Sequence, residues 1–82
     1  MQITIEISYY ALRGDYAAPV KDFLERLSQH KMIGIETGNM STIISGEYHL
    51  VMQTITDTLA PLMARYPSVF ILKISNACSV GE

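Results

Sequence analysis

Ile3, Ile5, Ile7 and Tyr9 alternate with Thr4, Glu6, Ser8 and Tyr10, the period of two produced by a strand with one apolar face. After Arg13-Gly14-Asp15 the rhythm changes. Tyr16, Val20, Phe23, Leu24 and Leu27 recur at the spacing of an amphipathic helix. Asp15 suits its start, and Pro19 is tolerated only within its first turn. A second strand is predicted from Met32 to Thr37, and Gly38-Asn39 supplies the glycine-led dipeptide of a two-residue hairpin. With Thr37 and Met40 flanking that turn, Ile33, Ile35, Met40, Thr42 and Ile44 share one face of the sheet. Glu36, Ser41, Ile43 and Ser45 take the other. Gly46 ends this third strand. Leu50, Val51, Ile55, Leu59, Leu62 and Met63 then mark a second amphipathic helix from about Glu47 to Arg65. Pro61 removes a hydrogen bond inside it, so a kink or break is expected there. Tyr66-Pro67-Ser68 leads into a last strand, Val69 to Ile74, apolar on both faces, and the tail beyond Ser75 is expected to fray.

Strand, helix, strand, hairpin strand, helix, strand is the split βαβ arrangement. It predicts an α+β fold, ferredoxin-like βαββαβ, with residues 1–82 as one domain. Right-handed crossovers place both helices on one face of a four-stranded antiparallel sheet ordered four, one, three, two. The other face then carries Thr4, Glu6, Ser8, Tyr10, Ser41, Ile43, Val69, Ile71 and Lys73. That mixture is too apolar for a fully solvated face and marks an interface.

Composition sharpens this picture. A chain of 82 residues buries only roughly 60–65% of its unfolded surface. Extra burial through self-association, as a dimer or tetramer on the open sheet face, is therefore expected. With 49% hydrophobic and 17% charged residues the chain is too apolar for disorder. Its net charge is −2, and its six Lys and Arg residues are scattered, which argues against nucleic acid and anionic membrane as partners. No positive segment precedes an apolar run at the start, and no apolar run approaches about 18 residues, so cytoplasmic residence is the default expectation.

Little in the sequence looks catalytic. The lone Cys78 has no His or basic neighbour to activate it. His30 falls near the end of the first helix, where a cation is favourable. His49 opens the second helix without a companion ligand, so no metal site is read. Neither a nucleophile–base pair nor a glycine-rich phosphate loop is present, and no enzyme and no cofactor are expected. Thr42 is the residue out of character. Flanked by Met40 and Ile44 on the helix-facing side, its hydroxyl either bonds backbone in a dry core or contacts a ligand between sheet and helices. Asn39, Ser41, Ser45 and Glu47 cluster around it in sequence. Ser45-Gly46 precedes a helix whose N–H groups can take an anion, but Glu47 already supplies negative charge there.

Ile7-Ser8-Tyr9-Tyr10-Ala11-Leu12 and Gly38-Asn39-Met40-Ser41-Thr42-Ile43-Ile44-Ser45-Gly46-Glu47 resemble the S-x-Y-P-L and M-S-T-x-x-x-G-E signatures of the YkoF-like thiamine-binding proteins. Ala11 stands where that family usually has proline. The resemblance implies a ferredoxin-like domain that self-associates and binds thiamine, or its hydroxymethylpyrimidine part, without catalysis. Ser8 and Tyr10 match the first signature; Met40, Ser41, Thr42, Gly46 and Glu47 match the second. With Asn39, whose amide suits an aminopyrimidine edge, the candidate ligand-binding set is Ser8, Tyr10, Asn39, Met40, Ser41, Thr42 and Glu47. The rival reading is a structural or regulatory self-assembly domain with no small-molecule ligand.

Overall fold

The alternating isoleucines do form a strand, and its apolar face becomes the centre of the core. The computed structural model describes residues 1–12, 14 and 17–77. The helix start at Asp15, the apolar position Tyr16 and Cys78 lie outside them. The elements are β1 (Gln2–Ala11), α1 (Ala17–Ser28), β2 (Gly34–Thr37), β3 (Thr42–Glu47), α2 (Tyr48–Arg65) and β4 (Ser68–Ser75). The sheet is antiparallel in the order β2-β3-β1-β4, as the element pattern predicts. Ile3, Ile5, Ile7 and Ile44 project from it onto Phe23 and Leu27 of α1 and onto Val51, Ile55 and Leu62 of α2, all buried. Each such side chain contributes about 2 kcal/mol relative to exposure.

The hairpin differs from its predicted form. Thr37 pairs with Thr42 and Ile35 with Ile44, and the Gly38 N–H donates to the Ser41 carbonyl at 2.9 Å. The turn is thus centred on Asn39-Met40, one residue later than Gly38-Asn39. A glycine-led two-residue turn needs a positive φ at the glycine, and among the described residues only Gly46 has one. Moving the turn by one residue moves the register by two, so Thr42 and Ile44 keep the helix-facing side. Met40 does not: it sits at the turn, 88% exposed.

The start of β2 and the break expected at Pro61 are corrected. β2 begins at Gly34 rather than Met32: the ladder with β3 starts at the Gly34–Ser45 pair, and Met32 lies outside it, exposed. Ile33 instead packs over Gly46, where an added Cβ would lie 3.4 Å from both Ile33 Cγ2 and Val51 Cγ2. The second helix continues without a break through Pro61 to Arg65. Proline forfeits one backbone bond, but Leu62, fully buried one residue later, seats the last turn in the core, and the Tyr66 N–H closes it on the Leu62 carbonyl at 2.8 Å.

The open face is composed as the parity argument requires. Glu6 lies between Ile43 and Lys73, Ser8 lies beside Ile71, and Tyr10 beside Val69. Tyr10, Val69 and Ile71 are exposed, giving that face an apolar end. Among the described residues, no helix is long and apolar enough to cross a membrane.

Candidate functional site

Between the β2–β3 hairpin and the middle of α1, the chain leaves a cleft of about 150 Å³. Its floor is Ile7 and Tyr9 of β1. Val20, Phe23 and Leu24 of α1 form one wall, and residues 37–42 form the rim. The helical periodicity counted Val20 as core, yet it is partly exposed because it faces this opening.

The floor is rigid and aromatic. Tyr9 stacks on Phe70 with centroids 4.3 Å apart and 14° between planes, and meets Phe23 edge-on at 5.5 Å. The Ser68 hydroxyl donates to the Tyr66 carbonyl at 3.0 Å. That uses the single hydroxyl hydrogen of Ser68, so in the 3.0 Å contact between Tyr9 Oη and Ser68 Oγ the tyrosine is the donor. Tyr9 is therefore locked in place, with only acceptor capacity left.

Polar groups come from the hairpin. Thr42 is 5% exposed, lines the cleft, and makes no side-chain hydrogen bond among the described residues. Thr37 stands opposite it on the same side of the sheet, and Asn39 lies on the rim. The Ser41 hydroxyl donates to Glu6 Oε2 at 3.2 Å. None of the described lining residues is a Lys, Arg, Asp, Glu or His.

Of the residues picked from the sequence, Asn39, Met40, Ser41 and Thr42 come together on this cleft. Ser8 and Tyr10 do not: β1 alternates, and both project from the open face beside Ile71 and Val69. Tyr10 reaches instead a shallow depression of about 320 Å³ that it lines with Tyr9, Ala11 and Val20, two of which also line the cleft. Glu47 is remote, paired with Gln2 at the far end of β3, roughly 17 Å from Thr42 at about 3.3 Å per residue. Its Oε1 accepts the N–H groups of His49 at 2.9 Å and Leu50 at 3.2 Å, and its Oε2 lies 3.2 Å from His49 Nδ1. It is the N-cap of α2. Desolvation, the largest single influence, raises its pKa, but hydrogen bonds from the His49 ring and the Leu50 and His49 amides, with the His49 charge, together bring it below the ordinary glutamate value.

His30 closes the end of α1, its N–H on the Leu27 carbonyl at 3.0 Å. Among the described residues no three His, Cys, Asp or Glu side chains converge as metal ligands. The site residues that sequence reasoning missed are Tyr9, Val20 and Phe23. Their periodic signal is that of core residues, and only the hairpin's position in space separates the two roles.

Comparison with protein-family profiles finds no match, and a search of curated proteins finds no relative. Solved structures are similar in fold. A protein of Thermotoga maritima provisionally assigned to thiamine biosynthesis or salvage superposes with a TM-score of 0.79 at 19% identity, covering 92% of this chain and 83% of that one. The domain of unknown function DUF77 from Bacillus cereus gives 0.76 at 22% identity, covering 99% and 81%. A de novo designed protein with a ferredoxin fold gives 0.71 at 8% identity, covering 100% and 92%. Together with the observed sheet order, these define a ferredoxin-like α+β fold.

Proposed function

We propose that this chain is a YkoF-like protein that binds thiamine, through its hydroxymethylpyrimidine ring, in the hairpin cleft, and that it does so without catalysing a reaction. The observation that carries this reading is Thr42: a residue 5% exposed that lines a cleft with an aromatic floor, and whose hydroxyl has no hydrogen-bond partner among the described residues. A hydroxyl that opens on the cleft with no such partner can both donate to and accept from the edge of a ligand. The size agrees with one ring, since an apolar cavity of about 150 Å³ takes a benzene molecule. Thiamine's second ring then extends toward the depression at Tyr10. The structural likeness to a protein provisionally assigned to thiamine biosynthesis or salvage supports the same ligand class. Thermal-shift measurement against thiamine, its phosphates and hydroxymethylpyrimidine tests it: binding to the native state raises the melting temperature by mass action, and no shift with any of them at millimolar ligand counts against the reading.

The second reading, a self-assembly domain, is favoured by the exposed Tyr10, Val69 and Ile71 on the open face. It is compatible with the first where the protein works as a homo-oligomer packed through that face. Native mass spectrometry of freshly purified protein separates a liganded assembly from an empty one.

A further inference from the structure

The turn that forms the rim of the cleft is tied to the opposite side of the sheet. Ser41 lies two residues before Ile43, and Ile43 pairs with Glu6, so Ser41 is a diagonal neighbour of Glu6. Its hydroxyl donates to Glu6 Oε2 at 3.2 Å. Lys73, directly across from Glu6 on β4, holds the other oxygen, with Nζ 3.7 Å from Oε1. One carboxylate therefore joins β4, β1 and the hairpin turn, and each of its oxygens has a separate partner.

We propose that Glu6 is a positioning residue for the cleft: it fixes Ser41, and with it the 38–41 turn, while Lys73 aims the carboxylate. The inference rests on reading the cleft as a ligand site. Within the turn the Gly38 N–H bonds the Ser41 carbonyl at 2.9 Å, and neighbouring Met40 is almost wholly exposed. Past the Thr37–Thr42 pair, the Ser41 hydroxyl is thus the described hydrogen bond that anchors the turn to the body of the sheet. A hydrogen bond to a carboxylate is stronger than one between neutral groups, so this single contact is suited to hold a rim that carries Asn39 and Thr42 beside it.

The test is amide hydrogen exchange by NMR on wild type, Glu6→Ala, Ser41→Ala, the double variant and Glu6→Gln. Glu6→Ala is expected to speed exchange of the Gly38 amide about fivefold, the size of one lost hydrogen bond, with the Ile5 and Ile44 amides unchanged. Ser41→Ala should do the same. The double variant should be no faster than either single one, because both remove one bond. Glu6→Gln keeps an acceptor for Ser41 and should exchange like wild type. Titration calorimetry with hydroxymethylpyrimidine should show weaker binding in the two alanine variants and rescue in Glu6→Gln. Wild type that binds no ring defeats the ligand reading, while the exchange series still decides whether Glu6 holds the turn. An unaltered Gly38 amide in Glu6→Ala, or acceleration of all sheet amides in parallel, overturns the proposal.

Discussion

Thr37 stands directly opposite Thr42 in the β2–β3 ladder, and both line the cleft above Tyr9. Cross-strand neighbours bring their Cβ atoms within about 5 Å, so two threonines stand side by side near an aromatic floor whose own Tyr9 proton is committed to Ser68. On the proposed reading, the Tyr9 floor and the two threonines are the groups that a bound aminopyrimidine ring would meet for stacking and for hydrogen bonding.

Assembly is tested on the open face. Ile71 is half exposed there beside Ser8, and Ile71→Glu places a charge where a second subunit would exclude water, at a cost of several kcal/mol. Sedimentation velocity should show the variant shifted to smaller species. Wild type that sediments as a monomer under the same conditions contradicts self-association through this face.

Glu47 caps α2 at the end of β3 remote from Thr42. Its carboxylate caps α2 through the His49 and Leu50 amides, so Glu47→Ala should lower the melting temperature by a few degrees and leave affinity for hydroxymethylpyrimidine unchanged. The pH dependence has a definite sign. Because the folded-state pKa is depressed, the stabilisation is present above the unfolded glutamate value and is lost as pH falls through the folded one. Acid melts of wild type and variant should therefore converge below the ordinary glutamate range. A constant gap between them down to the lowest pH excludes this role.

Thr58 and Thr54 share the buried side of α2 but differ in bonding. The Thr54 hydroxyl donates to the Leu50 carbonyl at 2.8 Å, whereas Thr58 Oγ1 is buried with no partner. Thr58→Val should therefore raise stability by about 1 kcal/mol, while Thr54→Val should lower it by a similar amount. Chemical denaturation of the two variants checks the contrast, and a destabilised Thr58→Val contradicts it.

The fold was legible because its signals are local and periodic: Ile3, Ile5 and Ile7 on one side of β1, and Phe23 and Leu27 on one side of α1, are core in the structure as in the pattern, with Tyr9 packed against them. Thr42 kept its predicted side even though the turn slipped, since a register shift of two preserves parity. The turn centre itself was not legible. Gly38-Asn39 and Asn39-Met40 differ by one residue, and the choice is made by the pairing of Ile35 with Ile44 across the ladder. The site was half legible for a related reason. Residues 39–42 are contiguous, so their grouping survives folding, whereas Ser8 and Tyr10 match a motif whose alternation turns them away from the cleft. Glu47 matches the other motif, but the length of β3 carries it to the opposite end.

The most direct test of the ligand reading is calorimetric titration of hydroxymethylpyrimidine and thiamine into wild type and Thr42→Val, paired with thermal melts. Valine keeps the shape of threonine and removes its donor and acceptor. If the Thr42 hydroxyl bonds the ring, affinity falls about tenfold, equivalent to about 1.4 kcal/mol, with the melting temperature nearly unchanged. Equal affinity in the two proteins, or no binding to wild type at millimolar ligand, contradicts the account.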